Sequence, residues 1–118
     1  MLNLNHKKLD VWKDSIQFVK EIYKVTANFP KSEIFGISNQ LRRASVSIAS
    51  NISEGASRKT VNERKRLFEI SRSSLVEIDT QLIISFELNY LNQSELNSIS
   101  KTLNTLFARL SNLILKTR

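Results

Sequence analysis

The chain has no cysteine, one proline and only two glycines among its 118 residues. Without cysteine there are no disulfides and no thiolate metal ligands, which agrees with a reducing cytoplasm. A β-rich fold needs many tight turns, and three glycine and proline residues in total are too few to build them. No apolar run approaches the roughly 20 residues that span a bilayer, and the opening MLNLNHKKLD lacks the apolar region of a signal peptide. The expectation is a cytoplasmic chain with no membrane segment. The only histidine, His6, stands beside Lys7 and Lys8 in an opening stretch, residues 1–8, that has no stable periodicity and is expected to be loosely ordered. Acidic residues are also scarce. Eleven Asp and Glu against 18 Lys and Arg leave a formal charge of +7, which favours polyanionic partners such as RNA or DNA.

What is present is helical periodicity. Residues 1–118 fit a single domain with one core. From Asp10 to Phe29 the apolar residues Val11, Trp12, Ile16, Phe18, Val19, Ile22, Tyr23 and Val25 share one half of a helical wheel. Asp10 is in position to cap this helix, and Pro30 ends it. PKSEIFGI at 30–37 reads as a connection with one short turn. The second helix begins near Ile37 or Ser38, and Leu41, Ala44, Ile48, Asn51 and Gly55 form its seam. Ala44, Ser45, Ser47, Ala49 and Ser50 make that helix thin, so neighbours can approach closely, and Gly55 is placed to stop it in a left-handed conformation.

Thr60 and Glu63 have the spacing of a reciprocal capping box, so a third helix is expected from Val61 to Tyr90. Its core stripe is Val61, Phe68, Ser71, Leu75, Ile78, Leu82 and Phe86. Asn92 and Glu95 repeat the capping spacing before a fourth helix from Gln93 to Lys116, in which Leu96, Ile99, Leu103, Leu106, Leu110 and Leu113 alternate three and four apart. Four helices with short connections predict an all-α, up-and-down antiparallel four-helix bundle.

Residues that would carry chemistry are few. The single histidine has no cysteine to activate, and the serines suit helix packing better than catalysis. Glu77 and Asp79 are two apart on a helix and point in different directions, so they make neither a metal site nor an acid/base pair. Neither glycine belongs to a phosphate-cradling motif. The expectation is a protein that is not an enzyme and has no metal or cofactor; a nuclease has no assembled acid/base group to work with. Glu77, set among apolar residues, is expected to pair with Arg42 or Arg43 as a structural ion pair.

Two surfaces stand out. Arg58, Lys59, Arg64, Lys65, Arg66 and Arg72 cluster around the start of helix three, where free backbone donors and the helix dipole also favour phosphate. No aromatic residue interleaves them, so the expected contact is to the backbone of RNA or DNA. Against this, the six do not share one wheel face and some can pair with Glu63 and Glu69. On the later part of helix three, Val76, Ile83, Ile84 and Tyr90 form a second apolar face that implies self-association. The alternative function is a structural adaptor that binds another protein and no nucleic acid.

Beyond these patterns, FPKSEIFGISNQLRRASVSIASNISEG, the later SRSSLVEIDTQL segment and the LNYL end of helix three resemble the bacterial 23S rRNA intervening-sequence proteins, a family of four-helix bundles. The resemblance runs from Leu9 to Leu91, with helix four similar in pattern alone. Ser53 and Ser73 depart from it, standing where the family commonly has alanine and often has glycine. The resemblance implies a homopentamer, because relatives that serve as accessory proteins of diversity-generating retroelements form basic five-fold rings. Those relatives bind nucleic acid and a nucleic-acid enzyme, a reverse transcriptase.

Overall fold

The computed structural model describes all 118 residues except the side chains of His6 and Lys8, so the expectation attached to the histidine lies outside what it describes. Four helices make up the fold: α1 (Asp10–Thr26), α2 (Ile37–Ser57), α3 (Val61–Glu87) and α4 (Gln93–Lys116). Short 3-10 turns at Asn5–Lys8 and Lys31–Glu33 complete the regular structure. Each helix packs on the next and α4 closes back on α1, giving the all-α, up-and-down antiparallel bundle with extents of 43 × 27 × 20 Å. Its centre is filled by Phe18 and Ile22 of α1, Leu41, Ile48 and Ile52 of α2, Leu75, Ile78 and Leu82 of α3, and Leu106 and Leu110 of α4. These residues follow the three- and four-residue spacings of the sequence, with one shift in α2: the core position is Ile52 and not the expected Asn51, which is half-buried and donates to the Ser47 carbonyl at 2.8 Å.

The closest pair is α2 with α3. Small residues make this possible: the Ser71 hydroxyl donates to the Ile48 carbonyl at 2.9 Å, and the Ser74 hydroxyl reaches Ser47 Oγ at 3.3 Å. Gly55 belongs to the same contact and does not stop the helix. It keeps a negative φ, α2 continues to Ser57, and a Cβ at position 55 would lie 2.7 Å from Cε1 of the Phe68 ring. The glycine is a notch for an aromatic ring, a role that its place near a helix end hides in the sequence.

Several helix ends differ from their sequence patterns. The cap of α1 is Leu9, whose side chain makes no capping bond, and Asp10 is the first helical residue, where its negative charge interacts favourably with the positive end of the helix dipole. The same helix ends at Thr26, three residues before Phe29, which instead folds into the core across the turn. At α3, Thr60 Oγ1 accepts from the Glu63 amide at 3.2 Å, but the Glu63 carboxylate takes the Thr60 hydroxyl, so only half of the reciprocal cap is made. α3 stops at Glu87 and not at Tyr90, because Asn89 takes a left-handed φ of 62°. The Tyr90 amide then donates to the Ser85 carbonyl and the Asn89 amide to that of Phe86, both at 2.9 Å, a Schellman motif with asparagine in the usual glycine position. At α4 the reciprocal box of Asn92 and Glu95 is complete, at 2.8 and 2.9 Å.

Candidate nucleic-acid interface

Up-and-down topology brings distant parts of the chain to one end of the bundle. Divided at the helix midpoints, residues 1–18, 48–74 and 105–118 form the half that holds the α2–α3 connection. This half contains twelve of the 18 basic residues and five of the 11 acidic ones, a difference of +7. The other half holds six of each and is neutral. The whole net formal charge of the protein therefore falls in this half.

The six predicted cations have different roles there. Arg58 and Lys59 lie exposed on the connection and Arg66 is exposed on α3, while Lys65 is half-buried. Arg64 is committed to the fold: Nη1 donates to the carbonyls of Arg58 (3.2 Å) and Lys59 (2.8 Å), and Nη2 to that of Arg118 (3.0 Å). Arg72 sits on the side of the bundle, 5.9 Å over the Phe107 ring, and donates to Ser111 Oγ at 3.2 Å, joining α3 to α4. Three exposed cations missed from sequence, Lys13, Lys116 and Arg118, belong to the same end. They are far from Arg58 along the chain, and only the antiparallel topology brings them near it. Arg109 is at this end too, in an ion pair with Asp14 that ties α4 to α1. Because Arg64 braces the connection through charged donors, Arg64→Gln is expected to lower stability by about 1 to 2 kcal/mol in chemical denaturation, with Arg66→Gln close to neutral.

The expected structural ion pair is not formed. Arg42 lies on the flank of α2 that faces α1, where Nε donates to Thr26 Oγ1 at 2.8 Å and the guanidinium stacks 4.6 Å over the Tyr23 ring. Arg43 is exposed. Glu77 is exposed on the outer side of α3 and accepts from Gln81 Nε2 at 3.1 Å. It precedes core residue Ile78 by one position, a step of 100° that turns it away from α2.

On the outer side of α3, Val76, Ile83 and Ile84 are exposed at 57%, 51% and 44%. Tyr90 is not among them. Its ring lies 5.4 Å from that of Phe29, and its hydroxyl donates to Glu33 Oε2 at 2.7 Å. That hydrogen bond, with partial burial and the carboxylate's charge, raises the Tyr90 phenol above the ordinary value of 10.0. A pKa higher in the folded state stabilises the fold while tyrosine is protonated. This contribution is fully present below pH 10 and is lost as pH rises through the folded value. The gap in melting temperature between the wild type and Tyr90→Phe should therefore narrow as pH is raised beyond 10.

A recess of about 710 Å³ between α1 and α4 is lined by Lys20, Glu21, Lys24, Ser98 and Glu95 among others. Glu95 is already engaged in the α4 cap. Lysines alternate with carboxylates along this recess, and all of its lining except Gln17 lies in the neutral half.

The model of the family described as 23S rRNA-intervening sequence protein matches residues 7–112. The chain belongs to that family. Among solved structures, this 23S rRNA-intervening sequence protein is similar to a protein of unknown function from the S23 ribosomal protein family of Bacteroides thetaiotaomicron. The TM-score is 0.81 at 22% identity, covering 90% of this chain and 96% of the other. At that identity the likeness supports the fold alone. No curated protein matches the chain. Among the described residues, no helix of this family member is long and apolar enough to cross a membrane.

Proposed function

We propose that this 23S rRNA-intervening sequence protein is a non-enzymatic, self-associating bundle, a homopentamer, whose basic end holds the phosphate backbone of RNA or DNA, alone or beside a nucleic-acid enzyme such as a reverse transcriptase. The observation that carries the reading is the concentration of the whole +7 charge in one half of the molecule. A basic protein that merely stays soluble has no need to segregate its charge; a phosphate-binding surface does. Self-association is supported by the exposed Val76, Ile83 and Ile84 of α3, while five-fold number rests on the resemblance to ring-forming relatives.

Fluorescence anisotropy with labelled RNA and DNA duplexes at 50 and 200 mM salt tests the nucleic-acid reading. About five phosphate contacts give a log–log slope of roughly −4 to −5, so the fourfold rise in salt should weaken binding by about 300- to 1,000-fold. Absence of binding at the lower salt would refute it. The adaptor reading is favoured by the same exposed α3 residues, and would be left standing by a protein that self-associates in light scattering and binds neither duplex.

A further inference from the structure

At the end opposite the basic one, the chain passes through the α1–α2 connection, residues 27–36, and the α3–α4 connection, residues 88–92. Three apolar side chains face water there: Phe35 at 91%, Ile34 at 58% and Leu88 at 49% exposure. The loop that carries the first two is held in place. Tyr90 ties Glu33 and Phe29 to the other connection, the Ile34 amide donates to the Lys31 carbonyl at 3.2 Å, and the Gly36 amide to that of Glu33 at 2.9 Å. Glu33 Oε1 also lies against Gly36, where a Cβ would come within 2.3 Å of it. Bracing on both sides fixes Phe35 in the solvent. An aromatic held outward at the same end as two exposed aliphatic side chains has the form of an interface anchor, because little conformational freedom remains to be lost on docking.

We propose that this end is a self-complementary contact at which a second copy docks end to end, the two Phe35 side chains lying beside the two-fold axis against Ile34 and Leu88 of the opposing copy. Charge favours a copy of this chain here. The neutral halves, with six basic and six acidic residues each, meet without the repulsion that two +7 ends would suffer, and neutrality gives a polyanion no hold. Area permits it as well. An end measuring 27 × 20 Å covers about 500 Å², so two copies bury about 1,000 Å², the lower bound for a specific interface. The contact leaves the outer side of α3 free and is therefore compatible with lateral association. Its consequence, which rests on the nucleic-acid reading above, is a pair with basic ends pointing in opposite directions, suited to bridging two nucleic-acid segments.

The absence of native cysteine makes the test direct. Ser32→Cys, on the same connection with Phe35 kept, and Lys59→Cys each give one thiol per chain, at opposite ends. A short bis-maleimide should link Ser32→Cys into a species of twice 13.6 kDa on a denaturing gel, and should leave Lys59→Cys largely unlinked. Light scattering on Phe35→Ser should show half the wild-type mass, with a cooperative melting transition retained because the side chain is exposed and the core is untouched. Equal linking of both cysteine variants, or a Phe35→Ser mass equal to the wild type, would overturn the contact. Duplex binding by Phe35→Ser is expected to persist with loss of bridging between two duplexes, so failure of this proposal is separable from failure of the nucleic-acid reading.

Discussion

Replacing Gly55 with valine is expected to lower stability by about 3 kcal/mol, the largest effect of any single substitution considered for this bundle. Two opposing terms decide it. Leaving glycine gains at most about 1 kcal/mol of helix propensity. Against that, the first added carbon would stand 2.7 and 2.8 Å from two atoms of the Phe68 ring, which is buried at 3% exposure. Even alanine must push the ring or spread α2 from α3, and valine adds two more carbons to the same gap. Spreading that pair also strains the Ser71 to Ile48 hydrogen bond, which spans it at 2.9 Å. In calorimetry the melting temperature should fall by about 12 °C, at roughly 4 °C per kcal/mol for a domain of this size. Adding Phe68→Leu to Gly55→Val should recover part of the loss. A rise in melting temperature for Gly55→Val would mean that α2 and α3 do not approach as described.

The second large effect concerns where charge lies rather than how much there is. Changing Arg58, Lys59, Arg66 and Lys116 to Gln removes four charges from the basic end; changing Lys20, Lys24, Lys31 and Lys101 to Gln removes four from the neutral half. Both variants keep the same net charge, so a response to bulk charge alone predicts equal weakening. A backbone interface at the basic end predicts unequal weakening. About four lost phosphate contacts should reduce duplex affinity by 100-fold or more at low salt and flatten the log–log salt slope by roughly 3 to 4. The second variant should change affinity by about tenfold or less and keep the wild-type slope. Arg64 and Arg72 are left out of the first set because their guanidinium groups hold the connection and α4, and their removal would mix stability with binding.

Much of this architecture was legible in the sequence, for identifiable reasons. The spacings of Phe18 and Ile22, of Leu41 and Ile48, of Leu75, Ile78 and Leu82, and of Leu106 and Leu110 are local, and each helix declares its buried side without reference to its neighbours. The Asn92–Glu95 cap is local too, and it formed as the spacing predicts. What escaped depends on contacts between segments. Gly55 reads as a helix stop until Phe68 is seen packed on it, and Glu77 reads as buried until α2 is seen on the other side of Ile78. Tyr90 follows the exposed apolar residues in sequence, but Asn89 turns the chain and sends its ring to Phe29. The basic end was only partly visible, because Lys13, Lys116 and Arg118 join Arg58 and Lys59 through topology, while Arg64 and Arg72 proved to be braces.

The charge segregation of the bundle is tested most directly by acetylation footprinting of lysines on the native protein, alone and saturated with a short duplex, read residue by residue by mass spectrometry. Lys13, Lys59 and Lys116 at the basic end should lose reactivity when the duplex is bound, while Lys20, Lys24 and Lys31 in the neutral half should react as before. Protection spread evenly over both halves, or confined to Lys20, Lys24 and Lys31, would contradict the account.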